Sequence, residues 1–95
     1  MSIDYPAILR FKLEVTDRQE IEIPGRYKIL SVAPGRNGYH IDMWARVIPD
    51  EMHSIRAFYI YGTGHPLPTG GGLVIDQEFI GTCVMSDGLV WHVFA

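Results

Sequence analysis

The sequence predicts an all-β fold. It reads as a single domain over residues 1–95, an antiparallel sandwich or small barrel of about seven strands. Three observations carry this expectation. Apolar and polar residues alternate at period two through most of the chain. Clusters of Pro, Gly, Asn and Asp break the alternation at the short, regular spacing of sandwiches and barrels. No segment has the 3.6-residue periodicity of a convincing amphipathic helix.

From Ile8 to Val15, Leu9, Phe11, Leu13 and Val15 share one face and Arg10, Lys12 and Glu14 take the other, as in a half-buried strand. Thr16-Asp17-Arg18 turns the chain. Gln19 to Ile23 alternates again, with Ile21 and Ile23 inward, and Pro24-Gly25 stops it. Tyr27 to Ala33 is a third strand. It ends at Pro34-Gly35-Arg36-Asn37-Gly38, where Asn-Gly signals a hairpin. In the fourth strand, Tyr39 to Ile48, Ile41, Met43, Ala45 and Val47 form the core face. His40, Asp42, Trp44 and Arg46 lie opposite. Pro49 to His53 is a loop with room for one helical turn.

The fifth strand, Ile55 to Tyr61, is apolar on both faces, so it is central in its sheet or covered by a partner. Gly62 to His65 is a tight turn, and Pro66 to Gly72 continues it as the longest irregular region. Gln77 to Met85 and Leu89 to Phe94 close the chain as a hairpin across Ser86-Asp87-Gly88. Phe79, Gly81 and Met85 flank Cys83 as an apolar stripe. Leu89, Trp91 and Val93 form a core face that leaves His92 outward.

Composition narrows the function. An apolar fraction of 47% with 20% charged residues describes a globular chain. A chain of 95 residues has a thin core. Surplus aromatic area with two-sided apolar strands predicts a homo-oligomer. The formal charge of −3 and a pI near 5.7 argue against extended nucleic acid as a partner, while leaving room for a local basic pocket. Cys83 is the only cysteine, so no intrachain disulfide forms, and an inert core thiol is the expectation. No signal peptide or membrane-length apolar run is visible, which points to the cytoplasm.

The motifs in order are Leu-Glu-Val-Thr-Asp-Arg-Gln at 13–19, Ile-Glu-Ile-Pro at 21–24, Lys-Ile-Leu-Ser-Val at 28–32 and Met-Trp-Ala at 43–45. Tyr-Gly-Thr-Gly-His-Pro at 61–66, Phe-Ile-Gly-Thr at 79–82 and Leu-Val-Trp-His-Val-Phe at 89–94 follow. Over nearly its whole length the chain resembles a family of small uncharacterised proteins of bacteriophages and prophage-bearing bacterial genomes. It departs from the family pattern at Arg36–Gly38 and at the glycine run 70–72. The resemblance implies an accessory phage gene expressed in the host cytoplasm and carries no activity over to this chain.

The candidate chemistry is binding, not catalysis. His40, His53, His65 and His92 lack metal-ligand spacing, so neither a metal nor another cofactor is expected. Ser31, Ser54, Ser86, Thr63 and Cys83 lie in no nucleophile elbow. Gly62-Thr63-Gly64 resembles the start of a phosphate-binding fingerprint, but no helix follows it. The turn is therefore an anion nest or a structural corner that positions His65. In the binding reading, Gly62, Thr63, Gly64 and His65 hold phosphate oxygens of a small nucleotide-like ligand. Arg56, Arg46 and Trp44 supply charge and a stacking face, and His92 approaches His65 across neighbouring strands. Such a protein sequesters its ligand or inhibits a host factor. The alternative is a structural or protein-interaction module without a small-molecule ligand.

Overall fold

The computed structural model describes residues 5–50, 52–67 and 77–95. Seven strands are present: β1 (Ala7–Glu14), β2 (Arg18–Ile23), β3 (Arg26–Pro34), β4 (His40–Ile48), β5 (Ser54–Gly62), β6 (Phe79–Val84) and β7 (Val90–Phe94). They form an open sandwich of two antiparallel sheets, one of three strands in the order β1-β4-β3 and one of four in the order β2-β5-β7-β6. No barrel closes, and the described residues include no helix. The helical turn allowed for at 49–53 is absent from its described part.

Alternation builds the core. Ile41, Met43, Ala45 and Val47 of β4 are all fully buried: Ile41 and Met43 cluster with Leu13, Phe58, Ile60, Cys83 and Val93, and Ala45 and Val47 with Ile23. Burial raises the pKa of the Cys83 thiol, because the thiolate would lose its hydration. β5 is central in its sheet, between β2 and β7, with Phe58 and Ile60 in the core. Its other face is not covered at Ile55, which is 69% exposed.

Two bulges shape the faces of β3 and β6. Between Ile29 and Ser31 of β3 the register shifts, leaving Leu30 as an extra residue. A second shift between Phe79 and Gly81 turns Ile80 toward the core, and Phe79 is exposed instead of joining the Cys83 stripe. Leu89 likewise leaves the expected Leu89–Trp91–Val93 core face, because it falls in the β6–β7 turn before pairing begins. The edge strands β3 and β6 meet across the sandwich. A Cβ on Gly81 would stand 2.7 Å from Val32 Cγ2, which shows how closely the two sheets approach there.

Candidate cationic face and the Gly-Thr-Gly-His turn

The eight predicted ligand residues fall into three places. The first is the turn after β5. Gly64 adopts a left-handed φ of +84°, as expected for a tight turn. Gly62 does not. Its need is steric: a Cβ there would stand 2.5 Å from His65 Nδ1 and 3.0 Å from Trp91 Cζ3. The bare glycine lets the His65 ring lie edge-on to Trp91, with ring centroids 5.9 Å apart.

Two of the turn's amides are already used. Thr63 N–H donates to Val90 O at 3.1 Å, and His65 N–H donates to Gly62 O at 3.1 Å. A nest needs such amides free and convergent. The Thr63 hydroxyl meets His92 Nε2 at 2.7 Å, and His92 Nδ1 meets Thr82 Oγ1 at 3.0 Å. His92 therefore reaches Thr63 and Thr82, not His65, although β5 and β7 are neighbours. These contacts tie β5, β7 and β6 together across the outer face of the four-stranded sheet. The His65 ring stays exposed.

Arg56 occupies the second place. It sits at the β3–β6 seam, where its guanidinium donates to Tyr27 Oη at 3.1 Å and pairs with Glu78 at 3.5 Å. It is not beside Trp44 or Arg46.

The third place is the outer face of the three-stranded sheet, which holds Trp44 and Arg46. Register explains its composition. Arg10 of β1 lies opposite Trp44, which lies opposite Ser31 of β3. One rung along, Ile8, Arg46 and Lys28 line up, and on the other side Lys12, Asp42 and Ala33 do. Five of the eight Lys and Arg residues gather here: Arg10, Lys12, Lys28, Arg36 and Arg46. Among the described residues no second layer covers Trp44, which is half-buried within its own sheet.

A depression of about 360 Å³ opens at one end of this face, lined by Arg10, Lys12, Arg36, Asn37 and His40. The β3–β4 loop builds its wall. Gly35 donates to His40 O at 2.8 Å, and the absence of a Cβ lets the His40 ring pack over it. Asn37 Oδ1 accepts from Tyr39 N–H at 2.9 Å and faces His40 Nδ1 at 2.8 Å. His40 Nε2 faces Asp42 Oδ1 at 3.0 Å. A neutral ring donates to one of these oxygens; an imidazolium donates to both. Asp42, on the face opposite the core stripe, is only 6% exposed because His40 and Arg10 enclose it.

Arg10 is 3.9 Å from Asp42, and Lys12 is 3.3 Å from Glu14. Among the described residues, Lys28, Arg36 and Arg46 have no carboxylate partner. No group of three or more His, Cys, Asp or Glu among the described residues is placed to hold a metal ion. The cationic cluster was missed in the sequence because its members come from β1, β3, β4 and a loop. Only the strand order joins them.

No curated protein and no solved structure matches the chain. A family model described as a domain of unknown function, DUF7352, matches residues 5–95. That span is nearly the whole chain, and the protein belongs to the DUF7352 family.

Proposed function

We propose that this protein binds a small anionic, nucleotide-like ligand on the outer face of its three-stranded sheet, and that it binds rather than converts it. One observation carries the reading: Arg10, Lys12 and Arg36 converge with Asn37 and His40 on one depression, one rung from an uncovered Trp44. Guanidinium and ammonium groups suit phosphate oxygens, and an indole face suits a base. Of the residues singled out in the sequence, Trp44 stands beside the depression, and Arg46 lies on the same face beyond Trp44, outside the depression. The turn residues and Arg56 are engaged within the fold.

The biological setting follows from the motif resemblance. In it, a phage-encoded accessory protein in the host cytoplasm sequesters such a ligand, or inhibits a host factor, as a counter-defence.

Titration calorimetry with adenosine monophosphate tests the site. Arg36 is exposed and has no ion-pair partner among the described residues, so Arg36→Glu leaves the melting temperature nearly unchanged. Losing a charged contact to phosphate costs about 1.5–3 kcal/mol, so affinity falls about tenfold or more. No heat with the native protein, or equal affinity in the variant, contradicts the reading.

A second observation favours self-association, the interaction-module alternative. On the outer face of the four-stranded sheet, Phe94 stacks edge-on against Tyr61 at 5.5 Å and Phe79 at 5.4 Å. Ile55 and Val84, toward opposite ends of the same face, are 69% and 66% exposed. An apolar sheet face of this kind suits a two-fold partner. Light scattering that returns the 10.8 kDa monomer mass at tens of micromolar protein removes this part.

A further inference from the structure

We infer that the natural occupant of the cationic face is a single strand of nucleic acid, held on both sides of Trp44, and not a lone nucleotide. This inference rests on the binding reading above and specifies its ligand.

The argument starts from the cations that a mononucleotide leaves unused. Lys12 and Arg36 lie on the depression side of Trp44, and Arg10, which also lines the depression, lies level with it. Arg46 and Lys28 lie on the other side, one rung farther along β4. A ligand with one phosphate group fills the depression and places its base on Trp44. It has nothing to offer the second pair.

That second pair is costly to the fold. Lys28 and Arg46 are direct cross-strand partners, and like charges directly opposite one another destabilise a sheet. Neither has a carboxylate within ion-pair distance among the described residues. By contrast, the exposed cations of β1 and β2 each have one: Lys12 with Glu14, and Arg18 with Glu20. An unbalanced pair beside a half-buried, outward-facing indole is what a phosphate backbone continuing past a stacked base requires. Cations that track the strand and an aromatic platform for its bases are the two parts of a single-strand site.

The net charge of −3 averages over unlike faces. Glu20 and Glu22 lie on the outer side of β2, in the other sheet, away from this surface. On this surface Arg10, Lys12, Lys28, Arg36 and Arg46 outnumber the two carboxylates, Asp42 and Glu14, and that balance sets the potential a strand meets. A duplex fits poorly, because its bases are already stacked and leave Trp44 without a role.

The test uses the full chain with three probes: adenosine monophosphate, a decaadenylate RNA, and the same RNA annealed to its complement. Quenching of the Trp44 signal, identified by its loss in Trp44→Phe, reports binding. The strand is expected to bind at least about 100-fold tighter than the mononucleotide, and the duplex far more weakly than the strand. In Lys28→Gln/Arg46→Gln, affinity for the strand falls about tenfold or more, while affinity for the mononucleotide is unchanged. The salt dependence of strand binding also becomes shallower, its log–log slope falling by about 1.4 for two lost phosphate contacts. Thermal stability is unchanged or higher in this variant, since a like-charge pair is removed.

Equal affinity for mononucleotide and strand, indifferent to the Gln pair, overturns the inference and leaves the nucleotide reading standing. Duplex binding as tight as strand binding overturns it too. If no probe binds, both readings fail.

Discussion

Phe58→Ala is expected to destabilise the protein by about 3–5 kcal/mol, the usual cost of removing a fully buried aromatic ring. Phe58 is the largest fully buried side chain, with 0% exposure, and it belongs to the main core cluster. It lies on β5, which β2 and β7 flank, so collapse of the cavity would have to move three strands together. Domains of this size have about 5–15 kcal/mol of total stability. Each kcal/mol moves the melting temperature of such a domain by about 4–8 °C. A drop of at least about 12 °C in a thermal melt is the expected result. A shift of only a few degrees would mean that the two sheets do not pack on this ring.

The second large effect is at Gly25, where two crossings between the sheets meet. The chain leaving β2 passes the chain leaving β4. A Cβ on Gly25 would stand 2.2 Å from Ile48 O and 2.8 Å from Asp50 N. Both are backbone atoms, so no rotamer change relieves the overlap. The residue also has a φ of +107°, which L side chains rarely adopt. Gly25 O accepts the Ser54 hydroxyl at 2.8 Å, so a shift there also loosens the start of β5. Gly25→Ala is expected to cost at least about 3 kcal/mol, combining strain with forced separation of the crossings. Gly64→Ala is the control. Its φ of +84° is unfavourable too, but no atom of the described residues beyond its chain neighbours lies within 4 Å of its Cβ position. That variant should lose only about 1–2 kcal/mol. Equal melting temperatures for the two variants would contradict the packing of the crossings.

Much of this fold is legible because alternation is a local signal. Ile41, Met43, Ala45 and Val47 read as a core face in the sequence, and all four are fully buried. The Asn-Gly and Asp-Gly turns join β3 to β4 and β6 to β7, with Gly38 and Gly88 at positive φ. Bulges are not legible in this way. Nothing in the composition around Leu30 announces an extra residue, and beside Ile80 only Gly81 marks one, yet each insertion reverses the faces beyond it.

The site is harder to read because it is a product of strand order. Trp44 and Arg46 are outward by parity alone. Their neighbours Arg10 and Lys28 become neighbours only once β4 sits between β1 and β3. The Tyr-Gly-Thr-Gly-His-Pro segment misleads for the opposite reason. Its glycines mark a tight turn, but whether its amides face a ligand or the fold depends on β7, whose Val90 carbonyl takes the Thr63 amide.

The central claim is that the ligand face is the cationic side of the three-stranded sheet. Amide and indole NMR shifts, followed during titration with adenosine monophosphate, test it most directly. The account predicts shifts at Arg10, Lys12, Arg36 and the Trp44 indole N–H, with Gly62 to His65 and Arg56 unmoved. Perturbations centred on Thr63, Gly64 and His92, or no perturbation up to millimolar ligand, would contradict it.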